Sequence, residues 1–277
     1  MISEPSGRPP LDAQRLAATD PHLLPGLTVD VVESVGSTNA VVTERALAGA
    51  AEGLVVVAEH QTAGRGRLDR TWEAPARSAL TFSVLLRPTA PVQSWPWLPL
   101  LAGYAVGKAL KAAGFEAAVK WPNDVLIADR KVAGILVERI ETAQGPAAVV
   151  GIGLNVAMSP GELPVPEATS LAIEGQAPDR TELLLDVLAS LGESYAAWQE
   201  GGDLAGMRLA ESYAAACATI GRQVRVALPS GQEVVGTATG IDPSGRLLVE
   251  HPDRDGVGRT AVSAGDVVHV RSVDAPS

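Results

Sequence analysis

Residues 61–72 read Gln61-Thr62-Ala63-Gly64-Arg65-Gly66-Arg67-Leu68-Asp69-Arg70-Thr71-Trp72, with three arginines and two glycines crowded into seven positions after an apolar run. Glycine allows left-handed backbone and close approach, so such a loop can turn its N–H groups toward an anion. Guanidinium groups add forked donors that match phosphate or carboxylate oxygens. The ordinary alternative is a solvated basic turn. A Walker loop is excluded, because no G-x-x-x-x-G-K-[ST] occurs, and the G-x-G here lacks a third glycine.

Four further stretches carry polar groups at element boundaries. In Lys120-Trp121-Pro122-Asn123-Asp124, Pro122 restricts Trp121 to extended backbone, so Lys120 leaves a strand while Asn123 and Asp124 turn. Lys131 opens the apolar run that continues through Gly134 to Glu138. A strand-end lysine is most often a snorkelling surface residue. Gly151-Ile152-Gly153-Leu154-Asn155-Val156 ends a strand on Asn155, and no helix follows it as a dinucleotide fold requires. Ser37-Thr38-Asn39 follows Gly36, where a hydroxyl is by default a helix N-cap. The single cysteine, Cys217, excludes an intramolecular disulfide, and His22, His60, His251 and His269 lack metal-ligand spacing.

The elements that must position these groups follow from periodicity and turn signals. Strands are expected at 27–33, 53–59, 79–87, 119–120, 125–127, 131–140 and 147–156, with helices at 38–48, 97–113, 181–199 and 203–219. Hairpin tips fall at Asp129-Arg130 and Gln144-Gly145-Pro146. Closely spaced short strands predict an α+β domain with a mixed β-sheet flanked by helices, not strict βαβ alternation. Five short strands after Gly221 predict a small SH3-like β-barrel. The expected division is a flexible Pro-rich arm at 1–26, a catalytic domain at 27–219 and a barrel at 220–272. The chain has 277 residues, 46% of them apolar, which excludes disorder over most of its length. It carries 22 Lys and Arg against 32 Asp and Glu, an acidic balance that argues against nonspecific DNA binding. With no signal peptide and no apolar run of about 18 residues, a soluble cytoplasmic protein is expected.

Together and in this order, Ser37-Thr38-Asn39, Gln61–Trp72, Lys120–Asp124, Lys131–Glu138 and Gly151–Val156 resemble biotin protein ligase, over about residues 30 to 271. The resemblance implies a fold related to the class II aminoacyl-tRNA synthetases, ATP and biotin as substrates, Mg²⁺, and a biotin carboxyl carrier domain of acyl-CoA carboxylases as protein partner. It assigns Ser37, Thr38, Asn39, Gln61, Arg65, Gly66, Arg67 and Lys131 to biotin. It assigns Arg65, Arg67, Arg70, Trp72, Asn123, Lys131, Gly134 and Asn155 to ATP and the adenylate. Lys131, Arg67 and Lys120 are the expected catalytic cations, and Asp124 the candidate Mg²⁺ ligand. Two departures stand out: Leu68-Asp69 replaces a more basic stretch, and residues 157–170 contain no tryptophan to cover the adenine. The DNA-binding domain of repressor-type members is absent from the sequence, so no DNA partner is expected, and the chain is expected to be a monomer or weak homodimer. A lipoate–protein ligase and a noncatalytic biotin-binding regulator are the rival functions. An RNA-binding barrel is disfavoured by six arginines against six carboxylates in residues 222–271.

Overall fold

The computed structural model describes residues 7–20, 22–200, 202–228, 231–253, 256–263 and 266–269. In chain order the first elements are α1 (Ala13–Ala17), β1 (Thr28–Val35), α2 (Thr38–Leu47), β2 (Leu54–Gln61), β3 (Ala79–Leu86) and α3 (Trp97–Ala112). They are followed by β4 (Ala117–Lys120), β5 (Asp124–Ile127), β6 (Arg130–Thr142), β7 (Gly145–Asn155), α4 (Leu171–Glu174), α5 (Arg180–Glu200) and α6 (Gly202–Ala216). The last strands are β8 (Gln223–Ala227), β9 (Glu233–Ile241), β10 (Leu247–Asp253), β11 (Gly256–Val262) and β12 (Asp266–His269).

Seven strands form one sheet in the order β1-β2-β3-β7-β6-β5-β4. Only β1 and β2 run parallel; the other neighbours are antiparallel, and short hairpins join β4 to β5, β5 to β6 and β6 to β7. The α+β expectation with a mixed sheet therefore holds. β3 is buried at every position, so it reads as a continuous apolar run broken only by Thr81 and Ser83. α2 packs on one face over Val56, Leu85 and Val149. α3 and α5 cover the other, where Leu80, Phe82, Val84, Leu101, Val106 and Leu188 join the main core.

The five remaining strands form an antiparallel sheet in the order β11-β10-β9-β8-β12, the SH3-like unit expected from the turn spacing. Two tryptophans fasten it to the large sheet: Trp97 Nε1 donates to Pro243 O (2.7 Å) and Trp121 Nε1 to Gly245 O (3.0 Å). Both indoles are about 1% exposed, so truncating either to Ala removes burial worth roughly 3–5 kcal/mol.

Two expectations are corrected. Residues 8–20 and 22–24 are no loose arm: Leu11, Leu16 and Leu24 are buried, and Asp12 caps α1 by accepting from Arg15 N–H. Apolar side chains at 11, 16 and 24 give this Pro-rich stretch a face to bury, which its composition obscured. Residues 1–6 and 270–272 of the expected limits lie outside the described residues. The β5–β6 hairpin tip is Ala128-Asp129, one residue earlier than expected, because Ile127 pairs with Arg130 and both tip residues have positive φ (49° and 60°). Positive φ at both central positions is the twist-matched solution for a two-residue hairpin.

Candidate active site

Parallel pairing sets Val35 opposite Gln61, so β1 and β2 end at the same edge. The chain leaving β1 enters α2 there, beside the chain leaving β2 toward the arginine loop. Ser37 occupies the N-cap position with extended backbone, yet its side chain makes no capping hydrogen bond. The residue lines a cavity instead. Thr38 donates from its backbone N–H and its hydroxyl to Gln61 Oε1 (2.8 and 3.1 Å). Ser83, from the middle of β3, donates to Asn39 Oδ1 at 2.6 Å, its oxygen lying 2.7 Å from Thr38 Oγ1. Asn39 Nδ2 in turn donates to Glu138 Oε2 (2.7 Å). Ser37, Thr38, Asn39 and Ser83 are all buried, where an unpaired polar group is costly. The bonds of Thr38, Asn39 and Ser83 answer that cost and fix the orientation of those three side chains.

The glycines of β7 make room for this cluster. A Cβ at Gly151 would stand 2.2 Å from Asn39 Oδ1, and one at Gly153 would stand 2.3 Å from Trp72 Cε2. Neither distance is tolerable, so glycine here serves side-chain packing.

At the opposite end, residues 64–72 close on themselves. Trp72 N–H donates to Gly64 O (2.9 Å), Gly66 N–H to Arg70 O (2.6 Å) and Arg70 N–H to Arg67 O (3.2 Å). The tip is Leu68-Asp69, both left-handed (φ 53° and 57°). Each cation of this end has a protein partner. Arg65 pairs with Glu138 Oε2 (2.8 Å), Arg67 donates to Asn123 Oδ1 (2.6 Å), and Lys131 Nζ lies 2.6 Å from Asp124 Oδ1. Asn123 is itself held by Nδ2 donating to Ile135 O (3.0 Å). Lys131 Nζ also lies 5.8 Å from the centre of the Trp72 ring. The Trp72 indole N–H is buried without an acceptor, a donor at the cavity wall that a ligand would satisfy.

These groups line one cavity, open on one side, whose walls include Ser37, Thr38, Asn39, Gln61, Arg65, Gly66, Arg67, Arg70, Trp72, Asn123, Asp124, Lys131 and Gly134. Two expected residues are not among its walls. Lys120 ends β4 opposite Asp124, and Asn155 is buried with Nδ2 donating to Thr169 O (2.9 Å). Among the described residues no group of three or more His, Cys, Asp or Glu could hold a metal ion, and Asp124 answers Lys131. The residues present do not fit a resident Mg²⁺. The sequence reading missed Ser83, a hydroxyl inside an apolar strand, and Glu138, which joins the two ends of the cavity by bonding both Asn39 and Arg65.

A helix start and strand end that hold a neutral polar cluster face a cation loop across one cavity, the arrangement of a small-molecule binding site. Residues 31–155 match the Biotin/lipoate A/B protein ligase family, and residues 219–270 match the Biotin protein ligase C terminal domain. The biotin–[acetyl-CoA-carboxylase] ligase of Mycobacterium tuberculosis is 46% identical over 275 residues, covering 95% of this chain and 97% of its own. The bifunctional ligase/repressor BirA of Bacillus subtilis is 37% identical over 78% of this chain and 67% of its own. Among solved structures, biotin protein ligase from Aquifex aeolicus in complex with biotin and ATP superposes with a TM-score of 0.73 at 28% identity, covering 87% of this chain and 99% of that one. The chain belongs to the biotin protein ligase family.

Proposed function

We propose that the chain activates biotin with ATP and transfers it to a lysine of the biotin carboxyl carrier domain of acetyl-CoA carboxylase. The observation that carries this reading is the single cavity in which the Ser37–Asn39 cluster and Gln61 face Lys131 and the arginine loop. The biotin carboxylate attacks the α-phosphorus of ATP, forming biotinyl-5′-adenylate and expelling pyrophosphate. The amine of the acceptor lysine then attacks the carboxyl carbon of the mixed anhydride, and AMP leaves.

Ser37, Thr38, Asn39 and Gln61 supply donors and acceptors of the kinds that the N–H groups and carbonyl of the ureido ring require. Lys131 sits where the carboxylate and α-phosphate would meet. Two anions must approach there, so a cation held in advance lowers the barrier. Arg65, Gly66 and Arg67 close the mouth and keep water from the anhydride. Arg70 and Trp72 support the triphosphate side, and Gly134 leaves Lys131 room: a Cβ at Gly134 would stand 3.0 Å from Lys131 Nζ. Asn123 orients Arg67. Lys120 and Asn155 act from outside the cavity wall, Asn155 by holding Thr169. Mg²⁺ arrives with the ATP phosphates, since a lone carboxylate is too small a cage for it.

We take residues 27–219 as the catalytic domain and 220–272 as an accessory domain that binds the acceptor or ATP. No helix among the described residues is long and apolar enough to cross a membrane, and we place the reaction in the cytoplasm. The deciding experiment mixes the protein with ATP, Mg²⁺, biotin and a carboxyl carrier domain. One biotinyl group should add to the carrier mass; no gain would turn the reading toward a biotin sensor, and gain with lipoate in place of biotin toward a lipoate ligase.

A further inference from the structure

Outside the cavity runs a polar chain that the proposed reaction does not use. Arg8 donates to Ala157 O (2.7 Å) and pairs with Glu162 Oε2 (2.6 Å). Glu162 also accepts from the N–H and hydroxyl of Ser159, both at 2.8 Å, and so closes the turn at Pro160–Glu162. The Arg8 hydrogen bond is the foremost of the interactions that hold the Glu162 carboxyl down to about 2. Next along the chain, Pro9 O accepts from Arg180 NH2 (2.7 Å) and Leu11 N–H donates to Glu59 Oε1 (2.6 Å). Arg180 and Glu59 form a buried ion pair at 2.7 Å, their side chains 7% and 2% exposed. Residues 8–11 are thereby pinned to three segments far apart in sequence.

The loop that Arg8 holds at its start returns, at its end, to Lys131. Lys131 N–H donates to Glu167 O (2.7 Å), and Thr169 N–H donates to Lys131 O (2.8 Å). Thr169 O accepts from Asn155 (2.9 Å). The 157–169 loop is therefore clamped between the N-terminal segment and the backbone of the central cation.

We propose that residues 8–11 are a strap that sets the 157–169 loop against Lys131, with Arg8 a positioning residue for the ATP half-reaction; this rests on the biotin–ATP reading above. Glu162 is its counterpart on the loop.

The test compares the full-length protein with R8A, R8K and E162Q. Backbone amide exchange is measured without ligand, and pyrophosphate exchange at varied ATP and biotin. In R8A and E162Q, amides of 157–162 should exchange about tenfold faster while those of β3 stay as in wild type. The KM for ATP should rise roughly three- to tenfold, and by more than the KM for biotin. R8K should recover part of the ATP effect. Unchanged protection of 157–162 in R8A overturns the strap, as does an equal rise in both KM values. Should the wild-type protein fail to activate biotin, the functional reading falls, and the exchange data still decide the strap.

Discussion

The two ends of the cavity solve opposite problems. At the Ser37–Asn39 end the polar groups are neutral and buried, and Thr38 and Asn39 are bonded to Ser83 and Gln61 as the inner ring of partners. At the Arg65–Lys131 end the groups are charged and partly exposed, the Arg65 side chain at 47% and Lys131 at 35%, and their partners are carboxylates or an amide. A neutral ring can be read only by donors already aimed at it, because each bond it makes is worth about 1 kcal/mol and reorientation would consume that. Anions need cations, and an unpaired cation invites water or a wrong partner. Asp124 and Glu138 hold Lys131 and Arg65 in place. On the function proposed above, a phosphate or carboxylate would replace those carboxylates, while the neutral end would keep its partners.

The contrast is broken most directly at Lys131. Lys131→Ala should reduce ATP–pyrophosphate exchange by about two to three orders of magnitude, the usual loss when a preorganised charge at the reacting centre is removed. Melting temperature should stay near wild type, because the Lys131–Asp124 pair is partly exposed. Near-normal exchange would remove Lys131 from the chemistry and leave the comparison without its charged pole.

At the neutral end the sharpest probe is Gly151→Ala, whose new Cβ must displace Asn39 from a 2.2 Å approach. Ser83→Ala is gentler, leaving the Asn39 carbonyl without its donor. Both should raise the KM for biotin, Gly151→Ala by roughly a hundredfold and Ser83→Ala by roughly tenfold, with the KM for ATP little changed. A matching rise in the ATP constant would show that the two ends act as one unit. Arg65→Ala tests the exchangeable end at lower stakes. It should weaken ATP use about threefold at low salt, with the deficit shrinking as ionic strength rises, while stability barely moves.

Which half was legible in the sequence follows the same contrast. The arginine loop announces itself because its groups are contiguous and chemically unusual among neighbours. Ser37–Asn39 is equally contiguous, though only the missing cap bond separates its role from a helix start. Ser83 could not be found: a single hydroxyl in Ala79–Leu86 breaks no rule of a buried strand, and its partners lie 44 and 45 positions away. Lys131 is expected as the main cation and Lys120 as a second one, and sequence alone does not show how far apart they sit: the register places Lys120 opposite Asp124 on β4, and Lys131 lies in the cavity wall. Strand number and the mixed sheet were readable because hairpins are local. The packing of residues 8–20 and 22–24 was not, since Arg8 reaches Glu162 across 154 positions.

Two titrations outside both ends give the smallest effects and separate cleanly by pH. Burial foremost, with Lys120 and Arg222 nearby, lowers the His269 pKa from 6.5 to about 4. Trp121 N–H donates to Thr219 Oγ1 (3.2 Å), leaving the Thr219 proton for His269 Nε2 at 3.1 Å, which a neutral ring accepts. Between pH 6.5 and 4 the unfolded chain binds this proton and the folded one does not, so stability falls as pH drops through that window. Glu162, lowered from 4.5 to about 2, is the carboxylate counterpart: its contribution is present above pH 4.5 and lost as pH falls toward 2. His269→Gln should therefore flatten the melting temperature between pH 6.5 and 4, and Glu162→Gln should flatten it only below about 4.5. If His269→Gln leaves the upper window unchanged, the histidine does not couple the small sheet to the Trp121 turn.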